Sequence, residues 1–276
     1  MPPLLASRGV RRAASTLATV LLLVLAGGCG TGSAADTPAP TPQPVGQILW
    51  TGNAETGDMS QFKDTPYNVV KGLTPQVVQE PVRGGRYAIR LGITGPSTPA
   101  DGVCCGSRDE IVPEFPDAVA GDDLYVAVST YLAPGFPVEA HWQTIVQFKQ
   151  DVDGSAPVSV NVENGSYRLE GGYGAPSGSH PFTIPMGTAV TGQWVDWVLH
   201  VKFSPDPAVG FVEVWRNGAL VVPRYAPVAG TLYAAPPGQV TSEIKFGYFR
   251  DPTIVPPGTI YIDDARIGTS LDIVRH

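Results

Sequence analysis

The sequence predicts an all-β fold, an antiparallel sandwich of two sheets arranged as a jelly roll. Short apolar and β-branched runs recur between clusters of Gly, Pro, Asn and Asp, the pattern of strands joined by turns. Gly and Pro together make up 60 of the 276 residues, which favours many turns and few helices. Beyond the N-terminal region no window has the periodicity of an amphipathic helix, so strands are expected throughout.

Eight runs are the clearest strands, and a tight turn joins two of them. The strands are Leu124–Tyr131, Gln143–Lys149, Val158–Val162, Trp194–Phe203, Gly210–Trp215, Ala219–Val222, Glu243–Phe249 and Thr259–Ile267. Asn217 and Gly218 lie between two of these runs, and this pair accommodates the positive φ angles of a type I′ turn. The sequence therefore predicts a hairpin at this point.

The N-terminal residues have the layout of a bacterial export signal. Three arginines precede an apolar run, Leu17–Leu25, which is too short to span a bilayer stably. Small residues then lead to Cys29, an arrangement typical of lipoproteins in which the cysteine carries the lipid. We predict a signal over residues 1–28 and a lipid anchor at Cys29 on the extracellular face of the cell membrane. The alternative is secretion after cleavage near Ala34.

Residues 29–46 are rich in Thr, Ala and Pro and have no apolar periodicity, so they are predicted to form a disordered tether. The remaining residues, 47–276, suffice for one well-buried all-β domain, and the sequence contains no internal repeat. We expect a single jelly-roll domain and a monomer.

The charge balance argues against a nucleic-acid partner. The predicted signal contains three of the 18 basic residues and none of the 25 acidic ones, which leaves the mature chain with a net charge of −10. An acidic protein binds polyanions poorly unless its cations are clustered. An acidic polysaccharide would therefore need a local basic patch, and contact with the membrane is expected through the lipid only.

Two adjacent cysteines, Cys104 and Cys105, leave three alternatives open. In an oxidising compartment they can form a vicinal disulfide, remain free thiols, or bridge two chains. Their spacing does not suit a zinc site, which needs cysteine pairs that are separated by two to four residues.

Three short patterns place polar side chains on one face of their strands. They are Arg108-Asp109-Glu110, Gln147-Phe148-Lys149 and Lys245-Phe246-Gly247-Tyr248-Phe249. Successive side chains of a strand point to opposite faces. The sequence therefore predicts that Phe246 and Tyr248 pack in the core, while Lys245 and Phe249 face the opposite side.

Arg108, Glu110, Gln147 and Lys149 alternate in the same way with the other residues of their strands. A concave floor with these side chains and Lys245 would form a cationic strip. Such a strip would suit an acidic polysaccharide.

The three patterns, in this order and spacing, resemble the jelly-roll polysaccharide lyases of the heparin lyase I-like and alginate lyase-like type, which share the concanavalin A-like architecture. In those proteins an R-x-E-L strand, a Q-x-H strand and a Y-x-K-A-G-x-Y strand lie side by side, and the resemblance covers most of the mature chain. It implies cleavage of a uronic-acid-containing polysaccharide by β-elimination. The alternative is a non-catalytic carbohydrate-binding module on the same scaffold.

The resemblance also implies roles for individual residues. Arg108 and Gln147 would neutralise the substrate carboxylate, and Glu110 would orient Arg108. Lys149 stands at the histidine position, where it can act as a base only if its pKa is depressed. Lys245 and Phe249 would line the groove. Phe249 stands at the position of a tyrosine in the family and has no proton to give.

Other side chains are candidates to supply the missing groups. Tyr167, Tyr173 and Tyr261 are available hydroxyls, and His180, in a Gly- and Ser-rich loop, is a reserve base. Trp194 is the best candidate among the tryptophans for stacking on a sugar ring, whereas alternation places Trp197 in the core.

The resemblance further implies a structural calcium ion between an early glutamate and a late aspartate, here Glu55 and Asp263. Carboxylate and backbone oxygens are the ligands that calcium prefers. The alternative is that these two acids only cap turns. No other cofactor is expected.

Overall fold

Fifteen strands and one short helix make up the regular structure of residues 46–63, 74–95 and 107–275, which the computed structural model describes. The elements are β1 (Ile48–Gly52), β2 (Phe62–Lys63), β3 (Gln76–Val78), β4 (Ala88–Ile93), β5 (Ser107–Pro113), β6 (Asp123–Leu132), β7 (Gln143–Gln150), β8 (Val158–Glu163), β9 (Ser166–Gly171), β10 (Phe182–Thr188), β11 (Trp194–Lys202), β12 (Phe211–Arg216), β13 (Ala219–Tyr225), β14 (Ser242–Arg250), β15 (Gly258–Gly268) and α1 (Leu271–Val274). The predicted all-β class is confirmed.

The strands form two sheets. An eight-stranded sheet has the order β13-β12-β11-β6-β15-β4-β3, with β1 paired to the second half of β15. A seven-stranded sheet has the order β10-β9-β8-β7-β14-β5-β2. All pairings between these strands are antiparallel, and the buried side chains of both sheets meet in one hydrophobic core. The predicted two-sheet sandwich is therefore confirmed.

The alternation predicted for the Glu243–Phe249 run is present in β14. Ile244, Phe246 and Tyr248 are buried in the core, whereas Lys245 and Phe249 project from the opposite face of the seven-stranded sheet. Trp197 of β11 is also fully buried in this core, as its alternation predicts.

The hairpin between β12 and β13 has the predicted turn. Asn217 and Gly218 have φ angles of +49° and +78°, the left-handed values that a type I′ turn requires at both central positions. Glycine adopts this conformation at no steric cost, and asparagine tolerates it better than most residues.

Several predictions lie outside the described residues. They are the signal over residues 1–28, lipidation at Cys29, nearly all of the tether, and the state of Cys104 and Cys105. Where the chain is described, none of its helices has the length and apolar character needed to cross a membrane.

Asp109 of β5 is an acid on the core side of its strand. Its side chain is almost fully buried, and Oδ2 accepts a hydrogen bond from the backbone amide of Gly92 at 2.7 Å. Burial raises the pKa of Asp109 from 3.8 to about 6, although the bond from Gly92 and the charge of Arg90 act in the opposite direction. Because the folded pKa exceeds the unfolded one, stability is greatest below pH 3.8 and falls as the pH rises through about 6. The loss corresponds to about 3 kcal/mol.

We therefore expect Asp109→Asn to raise the free energy of unfolding at pH 8 by up to about 3 kcal/mol, because the amide has no charge to desolvate. At pH 3 the variant and the parent should have equal stability. Urea denaturation at both values measures this, with the exposed Asp272→Asn as the matched control. An equal gain at both pH values would contradict the burial of an ionised Asp109.

Candidate functional site

The strand register brings the three sequence patterns together. β14 lies between β7 and β5, with Lys245 opposite Gln147 and Phe249 opposite Arg108. Glu110 is opposite Gly247, where the pairing with β7 shifts by one residue. The face of the seven-stranded sheet that carries Arg108, Glu110, Gln147, Lys149 and Lys245 is called the site face below. The chemical roles of these residues stay predictions.

Gly247 is required at that shift. Its φ is +140°, and a Cβ atom would lie 2.5 Å from the carbonyl oxygen of Asp109. Only glycine lets β14 approach β5 so closely, which holds Lys245 and Phe249 on either side of Glu110.

Glu110 occupies the centre of the site face and is almost fully buried. Its Oε1 accepts a hydrogen bond from Nε2 of Gln147, and its Oε2 lies 3.9 Å from Nη1 of Arg108. Burial raises the pKa of Glu110, whereas the charges of Lys245 and Arg108 and the bond from Gln147 oppose the rise. Glu110 therefore positions both groups that were predicted to bind a substrate carboxylate.

Cations of the site face have acidic neighbours on the same face, whose charge the predicted cationic strip did not take into account, and the strip stays a prediction. Nζ of Lys245 lies 2.8 Å from Oε2 of Glu243, and its side chain is 4% exposed. Arg108 faces Glu110, as described above. The acids occupy neighbouring positions on the same face, so much of the positive charge is met within the protein.

Lys149 is the partly exposed cation at the end of the site face. Its Nζ donates hydrogen bonds to the backbone carbonyls of Gln150 at 2.7 Å and Val152 at 2.5 Å. Burial lowers the pKa of Lys149, and the positive charges of Lys245 and Arg108 lower it further. A neutral amine has two N–H groups and one lone pair. The two carbonyls can take both N–H groups and leave the lone pair for a proton acceptor role.

Phe249 forms an apolar wall of the site face. The guanidinium carbon of Arg108 lies 4.2 Å from the centre of the Phe249 ring, a cation–π distance. The ring of Trp142 also packs edge-on against Phe249, with 4.9 Å between the ring centres. Phe249 thus packs against the Arg108 guanidinium, and it has no hydroxyl to act as an acid.

Polar side chains continue across the neighbouring strands, and the sequence patterns missed them. Gln147 is opposite Ser159 of β8, which is opposite Glu170 of β9. Glu170 Oε2 accepts a hydrogen bond from Nδ2 of Asn161 at 2.7 Å. The alternation of Ser159 and Asn161 with buried valines is visible in the sequence and could have extended the predicted site.

The three candidate tyrosines lie in three different places. Tyr167 is buried in the core against Trp197, and Tyr261 lies on the eight-stranded sheet. Tyr173 is 46% exposed, follows β9, and has its hydroxyl 3.3 Å from Oγ1 of Thr183. His180 is exposed in the loop between β9 and β10. Of the three, only Tyr173 is near the edge of the site face.

Glu55 and Asp263 both accept hydrogen bonds from one loop. Glu55 Oε1 accepts from the backbone amides of Arg86 and Tyr87 at 2.7 and 2.9 Å. Asp263 Oδ2 accepts a hydrogen bond from the backbone amide of Arg83 at 2.8 Å. Burial raises the pKa of Asp263 to about 6. These backbone amides donate to carboxylate oxygens of Glu55 and Asp263 that a calcium ion would need as ligands. Within ranges 46–63, 74–95 and 107–275 no three His, Cys, Asp or Glu side chains cluster as metal ligands.

Calcium at Glu55 and Asp263 therefore stays a prediction, and the chemistry described below uses no metal. The observed hydrogen bonds give both acids a role in holding the loop before β4, Asp263 from the middle of β15 and Glu55 from the segment after β1.

The fold and the site define a class of protein. The chain is an antiparallel two-sheet sandwich of the jelly-roll type, with arginine, glutamine and lysine side chains across one sheet face. The family profile described as "Polysaccharide lyase" matches residues 54–266. The chain belongs to this polysaccharide lyase family.

Solved structures share the fold at low sequence identity. The endo-β-1,4-glucuronan lyase of the fungus Trichoderma reesei has a TM-score of 0.64 and 17% identity, over 81% of this chain and 96% of that one. The cellulose-induced protein Cip1 has a TM-score of 0.55 and 14% identity, over 80% of this chain and 97% of that one. The catalytic domain of a glycoside hydrolase family 131 protein from Coprinopsis cinerea has a TM-score of 0.53 and 13% identity, over 80% of this chain and 94% of that one. No curated protein sequence matches the chain.

Proposed function

We propose that the protein cleaves a uronic-acid-containing polysaccharide by β-elimination on the site face. Membership of the polysaccharide lyase family supports this reaction class. The observation that carries the proposal is that Glu110 contacts Arg108 of its own strand and Gln147 of a non-adjacent strand, with Lys149 on the same face two residues beyond Gln147. The solved glucuronan lyase makes β-1,4-glucuronan the first substrate to test. A specific likeness to heparin lyase I stays a prediction.

The first step is neutralisation of the substrate carboxylate. Removing the C5 proton leaves charge that spreads onto this carboxylate, so donors fixed in advance stabilise the transition state. The guanidinium of Arg108 suits a carboxylate because it offers parallel N–H groups. Glu110 and Phe249 both contact Arg108, and Glu110 also orients the amide of Gln147.

The second step moves one proton. The lone pair of Lys149 takes the C5 proton, the C5–H electrons form the C4–C5 double bond, and the bond from C4 to the glycosidic oxygen breaks. In glucuronate and mannuronate units the C5 hydrogen and the C4 oxygen lie on the same face of the ring. Lys149 can therefore return the proton to the departing oxygen, which accounts for a phenylalanine at position 249.

A second candidate function is a non-catalytic carbohydrate-binding module. The observation that favours it is Phe249, since an apolar ring packed against Arg108 and Trp142 binds but transfers no proton. The two functions make different predictions for cleavage and the same prediction for binding.

Arg108→Ala should lower kcat/KM on glucuronan about 10²-fold, because one preorganised donor to the developing charge is lost. Gln147→Ala should have a smaller effect in the same direction. Initial rates and unfolding curves of each variant measure this. Arg224→Ala is the matched control, since Arg224 is exposed on the eight-stranded sheet. Unchanged cleavage by the Arg108 variant would exclude the site face as the active site.

Export and the lipid anchor at Cys29 are proposed on the sequence pattern alone. They place the proposed activity on the extracellular face of the cell membrane, or outside the cell, where polysaccharides are encountered.

A further inference from the structure

Three aromatic side chains lie next to one another on the outer face of the eight-stranded sheet. Tyr131 of β6 is directly opposite Trp194 of β11 on one side and Tyr261 of β15 on the other. The residues adjacent to them in sequence, Val195 and Ile260 among others, are buried in the core. Because strand side chains alternate, the three aromatic rings project away from the site face. They are called the aromatic row below.

The rings of the aromatic row are angled rather than flat. The centres of Tyr131 and Trp194 are 5.5 Å apart with 55° between the planes, and those of Tyr131 and Tyr261 are 5.7 Å apart at 81°. Each of the three side chains is only partly buried. Two perpendicular rings form a corner in which one ring offers its face and the other its edge.

A pocket of about 360 Å³ occupies this corner. It is lined by Glu80, Pro81, Tyr131, Ala133, Pro134 and Tyr261. The volume is within the range of small-molecule sites, and the walls combine apolar rings with a few polar groups, as such sites do. Among the residues that the structure describes, the hydroxyls of Tyr131 and Tyr261 have no hydrogen-bond partner in the protein.

Sheet packing explains other aromatic residues on this face better than it explains the row. Tyr125 and Trp215 pack with Leu271 and Ile273 of the C-terminal segment, which covers them. Two members of the aromatic row, Tyr131 and Tyr261, instead line an open pocket. Cross-strand aromatic pairs stabilise sheets in general, but they do not require an unfilled space beside them.

The charges at the pocket select the chemistry of its ligand. Within the described part of the chain, Glu80 is the one charged side chain that lines it. Arg83, the nearest cation in sequence, forms two hydrogen bonds of 2.9 Å with Asp196. Arg90 lies opposite Tyr261 on β4 but does not line the pocket. A uronate would meet the carboxylate of Glu80, whereas a neutral sugar can donate hydroxyl hydrogens to it.

We propose that this pocket binds a pyranose unit of a neutral polysaccharide, as a second carbohydrate site on the opposite side of the sandwich from the site face. The face of one tyrosine stacks on the apolar face of the sugar ring. The carboxylate of Glu80 and the two phenol hydroxyls bind the sugar hydroxyls. The site is independent of the proposed lyase reaction and goes beyond it.

Calorimetric titration of the full chain with cellohexaose tests the proposal. We expect measurable binding, and a loss of affinity of at least about tenfold in Tyr261→Ala and in Tyr131→Ala, because each removes a stacking surface. Binding should also change the fluorescence of the parent protein, and this change should shrink in Trp194→Phe. Leu220→Ala, exposed on β13 of the same sheet and outside the pocket, is the matched control and should bind as the parent does.

Glu80→Lys keeps the test decisive if a tyrosine variant fails to fold, because Glu80 is exposed. This variant should bind glucuronan oligosaccharides more tightly than the parent and cellohexaose less tightly. The proposal is overturned if cellohexaose does not bind, or if folded Tyr131 and Tyr261 variants bind it unchanged. It is also overturned if Arg108→Ala, on the site face, removes cellohexaose binding while glucuronan cleavage by the parent persists.

Discussion

Lys149→Ala should lower kcat on a glucuronate polymer by about 10²- to 10⁴-fold, the contribution of a positioned base. The variant should remain folded, since Lys149 is partly exposed and its hydrogen-bond acceptors are two carbonyls at the start of a loop. Steady-state rates, together with unfolding curves, measure both parts of this prediction.

Two further substitutions at this position separate a base from a structural cation. Lys149→Arg keeps a positive charge that cannot be removed at neutral pH, so it should be as inactive as the alanine variant. Lys149→His should retain partial activity and move the acidic limb of the kcat/KM profile to lower pH. In the parent, the rate should rise with pH, because the amine is the active form and the pKa of Lys149 is lowered. Full activity of Lys149→Ala would exclude it as the base.

Arg250→Met should destabilise the protein by about 1 to 3 kcal/mol, the cost of leaving buried hydrogen-bonding groups without their donor. Arg250 is 1% exposed. Its Nη1 donates to the carbonyl of Pro256 at 2.6 Å and to the hydroxyl of Tyr248 at 3.1 Å, and Nη2 donates to the carbonyl of Gly95 at 2.8 Å. All three acceptors would lose this charged donor, and the bond to the Tyr248 hydroxyl is buried whereas those to the two carbonyls are part-buried.

Urea denaturation measures this loss, and Arg224→Met provides a matched control. Arg224 is exposed on β13, where its guanidinium stacks on the ring of Phe211 at 3.5 Å. The control should lose no more than about 1 kcal/mol, the value of an exposed cation–π contact. If Arg250→Met lost no more free energy of unfolding than the control variant, the buried hydrogen bonds of Arg250 would contribute little to stability.

Much of the fold follows from local patterns in the sequence. Strict alternation predicted both faces of β14, with Phe246 and Tyr248 inside and Lys245 outside, because one strand face packs in the core. The Asn217-Gly218 turn was equally predictable, since its chemistry is local.

Short and edge strands were harder to predict. β10 contains Pro185, which cannot donate a ladder hydrogen bond and is tolerated because β10 is an edge strand. β9 is six residues long and ends in glycine. Without these two strands, the polar side chains that extend the site face, Glu170 among them, had no place in the predicted site.

The electrostatics of the site depend on contacts between strands that are distant in sequence. The bond from Gln147 to Glu110 joins residues 37 positions apart, and no periodicity in either strand reveals it. The balance of charge on the site face could be predicted only in part, from Glu243 two residues before Lys245 on the same face. The row of Tyr131, Trp194 and Tyr261 likewise requires the sheet order.

The measurement that tests the central claim most directly is the ultraviolet absorbance of unsaturated uronate when the full chain is incubated with glucuronan, alginate, hyaluronan or heparin. We predict that at least one polymer gives one new unsaturated end for each new reducing end, and that the reaction fails in Lys149→Ala. Binding to these polymers without any new unsaturated end would contradict lyase activity and favour a binding module. New reducing ends without unsaturation would show hydrolysis instead.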